Sequence, residues 1–207
     1  MSLGIKFFII QIASLIMFST SNIILTQMFS PYEVTIYNIA FKYFSIITIG
    51  FTILTSPFWS AITEAYVKND LPWIKKTMKA QLIIWLILMG TSMIMLVCAN
   101  LFYRIWVGSI ITIPLNLSLT VCIYINIITL NNVFSTFLNG VSKIQMILTI
   151  SIVITLLNIP LSVFFSRLIG ITGVVIASSI CLAIGAILGP IQYNKIINQR
   201  ATGIWAK

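Results

Sequence analysis

The residues able to do chemistry in this chain are few. Its only acids are Glu33, Glu64 and Asp70, and it has no histidine, so a carboxylate pair or a nucleophile and base has almost nothing to draw on. Cys98, Cys122 and Cys181 lie inside apolar runs without metal-like spacing. They read as reduced packing residues. No glycine-rich loop suited to cradling phosphate occurs. The expectation is a protein that is not an enzyme and holds no metal or cofactor, one that moves or binds something instead.

One cation stands apart from the rest. Twelve Lys and Arg give a formal charge of +9, yet only Lys42 falls well inside a long apolar run. If that run enters a bilayer near Ile36, Lys42 sits about 9 Å inside it. There it must snorkel, pair or face water. At 100° per residue, Asn38, Lys42, Ser45, Thr48, Thr52, Ser56 and Trp59 share an arc of roughly 120°. Such a polar stripe points to a helix lining a hydrated cavity.

Other runs carry polar faces as well. Gln11, Asn22 and Thr26 lie on one side of the first run. Ser118, Cys122, Thr129, Asn132, Thr136 and Asn139 recur along the fourth. Ser151, Thr155, Asn158, Ser162 and Ser166 share a face of the fifth. Small and polar residues also serve dry helix contacts in membranes, so packing and cavity lining both remain open for these positions.

The elements that must carry these residues are membrane helices. The chain is 59% hydrophobic and 7% charged, with a mean hydropathy of +1.09, and so few polar groups cannot cover a water-soluble fold of 207 residues. Against a spanning length of roughly 20 residues, six runs emerge, at about 5–29, 34–66, 79–102, 113–139, 144–165 and 171–193. The fold class expected is an all-α integral membrane protein in which residues 1–207 form a single six-helix transmembrane lobe. Short breaks such as Ser30-Pro31 and Asn139-Gly140 favour antiparallel hairpins. The run after Lys6 has no small-x-small cleavage pattern and is read as a span, not as a signal peptide.

Cation placement gives the orientation. Lys6, Lys68, Lys75, Lys76, Lys79, Lys143, Lys195, Arg200 and Lys207 fall on one side, and only Arg104 and Arg167 on the other. The larger set marks the cytoplasm, so both termini are expected there. The basic balance is therefore an orientation signal, and nucleic acid is not an expected partner. The loop at 67–79 is either a topology-setting charged connection or, with Asp70 as cap, a short helix resting on anionic lipid. In that helix Trp73, Ile74 and Met78 would oppose Lys75, Lys76 and Lys79. Pro57 and Pro160 lie within spans and predict kinks, either static or bending.

Several blocks then read together. Gly4-Ile5-Lys6-Phe7-Phe8, Glu33-Val34 with Tyr37-Asn38, the run from Pro57 through Trp59 to Glu64-Ala65-Tyr66, and Asp70-Leu71-Pro72-Trp73-Ile74-Lys75-Lys76 resemble the second half of Wzx-type polysaccharide (O-antigen) flippases. That family belongs to the multidrug/oligosaccharidyl-lipid/polysaccharide exporter superfamily. The resemblance covers residues 4 to 79, with the later spans agreeing in number and length. It implies one lobe of a two-lobe, MATE-like transporter in the bacterial inner membrane. Such a transporter moves undecaprenyl-diphosphate-linked oligosaccharide between leaflets for surface polysaccharide and lipopolysaccharide synthesis.

On that resemblance Lys42 would pair with the diphosphate, and Asn22, Asn38, Asn158 and Gln11 become candidate substrate-binding residues. Membrane lipids and either a first lobe or a second copy of the chain are the implied partners. Where related sequences carry an acid, this one has Asn22, which argues against ion coupling there. The alternatives are a cation-coupled multidrug exporter of the same superfamily and a nonfunctional truncated membrane remnant.

Overall fold

The computed structural model describes residues 3–108 and 111–206; Lys207, used in the cation count, lies outside them. The described residues form α1 (Leu3–Met28), α2 (Pro31–Thr55), α3 (Phe58–Val67), α4 (Leu71–Val107), α5 (Leu115–Gly140), α6 (Gln145–Ile169) and α7 (Ile171–Ile197). A single 3-10 turn, Gly203–Ala206, follows. All these helices except α3 are long and apolar enough to cross a membrane, six in number. The chain is a multi-pass, all-α membrane protein.

Chain breaks follow local chemistry. Ser30 caps α2 in a reciprocal box: its hydroxyl accepts from the Glu33 N–H at 3.4 Å, and its own N–H donates to Glu33 Oε2 at 3.0 Å. Asn69, in the left-handed region at φ 56°, turns the chain into α4. Asp70 then caps that helix, accepting from the Trp73 N–H at 3.0 Å.

Two expected boundaries move. The run at 34–66 is not one helix, because Pro57 has no N–H to give and its ring crowds the turn before it. The ladder stops at Thr55, the Ser56 hydroxyl donates to the Ile53 carbonyl at 3.2 Å, and α3 begins afresh. By contrast, residues 71–79 of the polar stretch at 67–79 and the third run are one helix. Its 37 residues extend for about 55 Å, well beyond a hydrocarbon core of about 30 Å. In its first turns Ile74 and Met78 are buried while Lys75, Lys76 and Lys79 stay exposed. That is the predicted division of faces, with the apolar side turned onto the protein. Pro160 lies inside an uninterrupted α6.

α5 is the hub of the bundle and packs on α2, α3, α4 and α7, while α1 lies against α6. One apolar cluster, containing Phe44, Tyr103, Leu117 and Val121, fills one end of the bundle. A second, containing Phe51, Ile62, Met78 and Phe137, fills the other. Val97 and Ile105 of α4 are 85% and 77% exposed, as suits a helix whose outer face meets lipid.

Polar side chains stitch these helices together. Asn126 Nδ2 donates to Ser92 Oγ at 2.8 Å, and the Trp85 indole donates to the Asn126 carbonyl at 3.0 Å. Tyr103 and Ser118 share a bond of 3.2 Å, and the Tyr43 hydroxyl donates to the Met95 carbonyl at 2.9 Å. Ser118, Cys122 and Thr129 are buried on α5, which places that part of its polar face in helix packing.

The turn between α6 and α7 depends on glycine. Gly170 adopts φ 70°, which L side chains rarely accept, and a Cβ on Gly173 would collide with the Phe165 carbonyl. Gly173→Ala is expected to cost about 1–3 kcal/mol, visible as a lower unfolding temperature in detergent. An equivalent change at Gly50, where a Cβ meets open space, leaves that temperature nearly unmoved.

Candidate functional site

The face of the bundle that carries Lys42 is built by α1 and α2. These two helices form a hairpin through Ser30 but barely touch each other, α1 leaning on α6 and α2 on α5 and α4. The contact they do make is aromatic: the Phe18 and Phe41 ring centroids are 6.0 Å apart. Asn22 and Asn38 each lie eight residues from Ser30, so they sit at matching depth on the two limbs. Nearer the start of α1, Phe7 stacks on Trp59 at 6.0 Å.

α2 turns Tyr37, Ala40, Phe44, Ile47 and Phe51 into the core, which leaves Lys42 exposed on the opposite side. α2 starts at Pro31, and Lys42 lies eleven residues along it, about 16 Å from its start. Among the described residues, the sole ion pair is Lys68 with Glu64, at 2.6 Å. Lys42 therefore projects from the bundle without an acidic partner in it.

Much of the polar stripe beside Lys42 satisfies itself locally, although the Thr48 hydroxyl is buried without a partner. The Asn38 amide donates to the Val34 carbonyl at 2.9 Å, Ser45 to the Lys42 carbonyl at 2.8 Å and Thr52 to the Thr48 carbonyl at 2.9 Å. On α1, Asn22 donates to the Phe18 carbonyl at 3.0 Å. Back-bonding of this kind lets such residues stand on an open face, since the hydroxyls and amides keep a partner when no ligand is present.

A second row completes the face. Ile46, Ile49 and Ile53 are all exposed, at 57%, 58% and 68%, and helical geometry sets Ile46 and Ile53 beside Lys42 on the side away from Asn38, with Ile49 between Asn38 and Lys42. Lys42 thus stands on a seam between polar and apolar rows. Counting polar positions alone passes over this feature, although the spacing of the isoleucines carries it.

The remaining candidates lie elsewhere. Gln11 is exposed on α1, about 10 Å further from the Ser30 turn than Lys42 is. Asn158 is fully buried between α6 and α7, where its amide nitrogen donates to Ser178 at 3.0 Å and its oxygen accepts from Ser162 at 3.4 Å. The structure leaves Lys42 exposed and Asn22 and Asn38 half-buried on the α1–α2 hairpin, each bonded within its own helix, and holds Asn158 inside the helix packing.

All three acids have structural partners. Glu33 and Asp70 cap helices, and Glu64 accepts from Lys68 on the exposed side of α3, where that hydrogen bond holds its carboxyl below the usual range. Among the described residues, no cluster of His, Cys, Asp or Glu could hold a metal ion.

Compared with known protein families, curated proteins and solved structures, the chain matches none.

With Cys98, Cys122 and Cys181 replaced, Lys42→Cys is expected to react with a small water-soluble thiol reagent in membranes. Asn158→Cys, buried in the same background, is expected to stay unreactive. Equal labelling of the two variants would contradict the placement of the open face.

Proposed function

We propose that this chain is one lobe of a two-lobe, MATE-like flippase that carries a lipid-linked oligosaccharide across the bacterial inner membrane, with both termini in the cytoplasm. The observation that carries this reading is the seam at Lys42. A ligand with an anionic head, a hydroxylated polar part and a hydrocarbon tail needs a cation, neutral hydrogen-bonding groups and an apolar track side by side. α2 offers Lys42, then Asn38 and Ser45, then Ile46, Ile49 and Ile53.

In this reading Lys42 faces the diphosphate, Asn38 and Asn22 hydrogen-bond the sugar, and the tail runs along the isoleucines. A charge facing lipid within a spanning helix is unfavourable, so the face is completed by a first lobe or a second copy. The resemblance of residues 4 to 79 to Wzx-type flippases supports the same assignment. The acids argue for it over cation-coupled drug export, because Glu33, Glu64 and Asp70 are all engaged at helix caps or on α3 and coupling needs a carboxylate within the membrane.

Co-expression with a matching first lobe, in a strain lacking its own flippase, is expected to restore surface polysaccharide. A hydrogen bond to a charged group contributes about 1.5–3 kcal/mol, so Lys42→Ala should slow lipid-linked sugar translocation by roughly tenfold or more. Unchanged translocation would remove Lys42 from the mechanism. Drug efflux driven by sodium or protons would replace the proposal.

A further inference from the structure

Most polar side chains held between helices in this bundle are paired, as Asn126 is with Ser92 and Asn158 with Ser178. Both amide atoms of Gln81, the Asn126 amide oxygen and the Thr48 hydroxyl are buried without a partner, and a further, half-buried group faces a cavity. Asn132 and Ser135 of α5 and Ser151 of α6 line a cavity of about 210 Å³, and among the described residues their side chains have no hydrogen-bond partner. Ser14 of α1, Asn131 of α5 and Gln192 of α7 complete its polar lining.

The bonds these last residues do make leave acceptors over. Asn131 Nδ2 donates to the Leu182 carbonyl at 3.0 Å, which frees its amide oxygen. A Cβ on Gly185 would come within 2.7 Å of that oxygen, so the glycine makes room for it. Gln192, 1% exposed, donates through Nε2 to the Lys143 carbonyl at 3.1 Å and the Trp205 carbonyl at 3.2 Å. Its oxygen, too, stays available.

The cavity exists because α1 leans on α6 and not on α5. The Gly203–Ala206 turn lies beside its Gln192 end, and Lys195 Nζ rests 3.9 Å from the centre of the Trp205 ring.

Its chemistry is narrow. No Lys, Arg, Asp or Glu lines it, so neither an anion nor a divalent cation finds its counter-charge. Asn132, Ser135 and Ser151 are half-buried, so water reaches them, and at about 30 Å³ apiece roughly seven waters would fit. Amides and hydroxyls alternate there with the walls of Ile128, Ile150 and Leu182. That alternation matches a ring bearing hydroxyls at its edge and C–H groups on its faces.

We infer that this chamber binds an uncharged, hydroxylated small molecule about the size of one sugar ring. No residue of α2 lines it, so it is separate from the Lys42 face and stands or falls independently of the flippase reading.

The test uses the full chain in membrane vesicles, with Cys98, Cys122 and Cys181 replaced and Ser135→Cys introduced. The modification rate with a small methanethiosulfonate reagent is measured against titrations of glucose, galactose, N-acetylglucosamine, inositol, sodium chloride and inorganic phosphate. At least one uncharged compound is expected to protect saturably, to about a tenth of the free rate at ten times its dissociation constant. The two salts are expected to have no effect, and Ser151→Ala should weaken the protection several-fold.

Ser14→Cys reads the same chamber from α1 if the α5 variant fails to fold. Absence of labelling in both variants, equal rates in every solute, or protection by either salt would overturn the inference.

Discussion

A backbone in hydrocarbon has no hydrogen-bonding partner except the protein itself, and most features of this molecule follow from that constraint. Between spans, side chains satisfy the helix ends at Ser30 with Glu33 and at Asp70. Where Pro57 interrupts the ladder, the Ser56 hydroxyl takes up the Ile53 carbonyl. The same constraint acts between helices, where apolar contact gives little preference over lipid. The bundle is therefore held by close packing around α5 and by bonds such as Asn126 to Ser92 and Tyr103 to Ser118.

The sequence made the six spans legible because length and hydropathy alone mark a membrane helix. It made the Lys42 face partly legible, since the 100° step relates Asn38, Lys42 and Ser45 without any knowledge of neighbours. What a single helix cannot reveal is which side another helix will cover. Asn158 and Ser162 were candidates for an open face on equal terms with Asn38, and only the placement of α7 beside them makes theirs a packing bond. The burial of Asn126 is likewise decided by α4, a partner distant in sequence.

Boundaries went astray in opposite directions for a shared reason. Hydropathy sees neither the missing N–H of Pro57 nor the helical continuity of a charged stretch. The first error merged α2 with α3, and the second cut off the start of α4. Both were open to capping chemistry: proline inside a run signals a break, and Asp70 ahead of Leu71-Pro72 signals a start.

The break at Ser56-Pro57 has a mechanical meaning. A helix resists bending and twisting through its ladder of hydrogen bonds, and at this joint the ladder is interrupted. α2, which presents Lys42, and α3, which is clamped on α4 and α5, are joined there through Ser56 and Pro57, both still in the right-handed helical region. The joint therefore redirects the chain without freeing it, and the cation-bearing helix and the short helix that carries Trp59 and Tyr66 are each seated on α4 and α5.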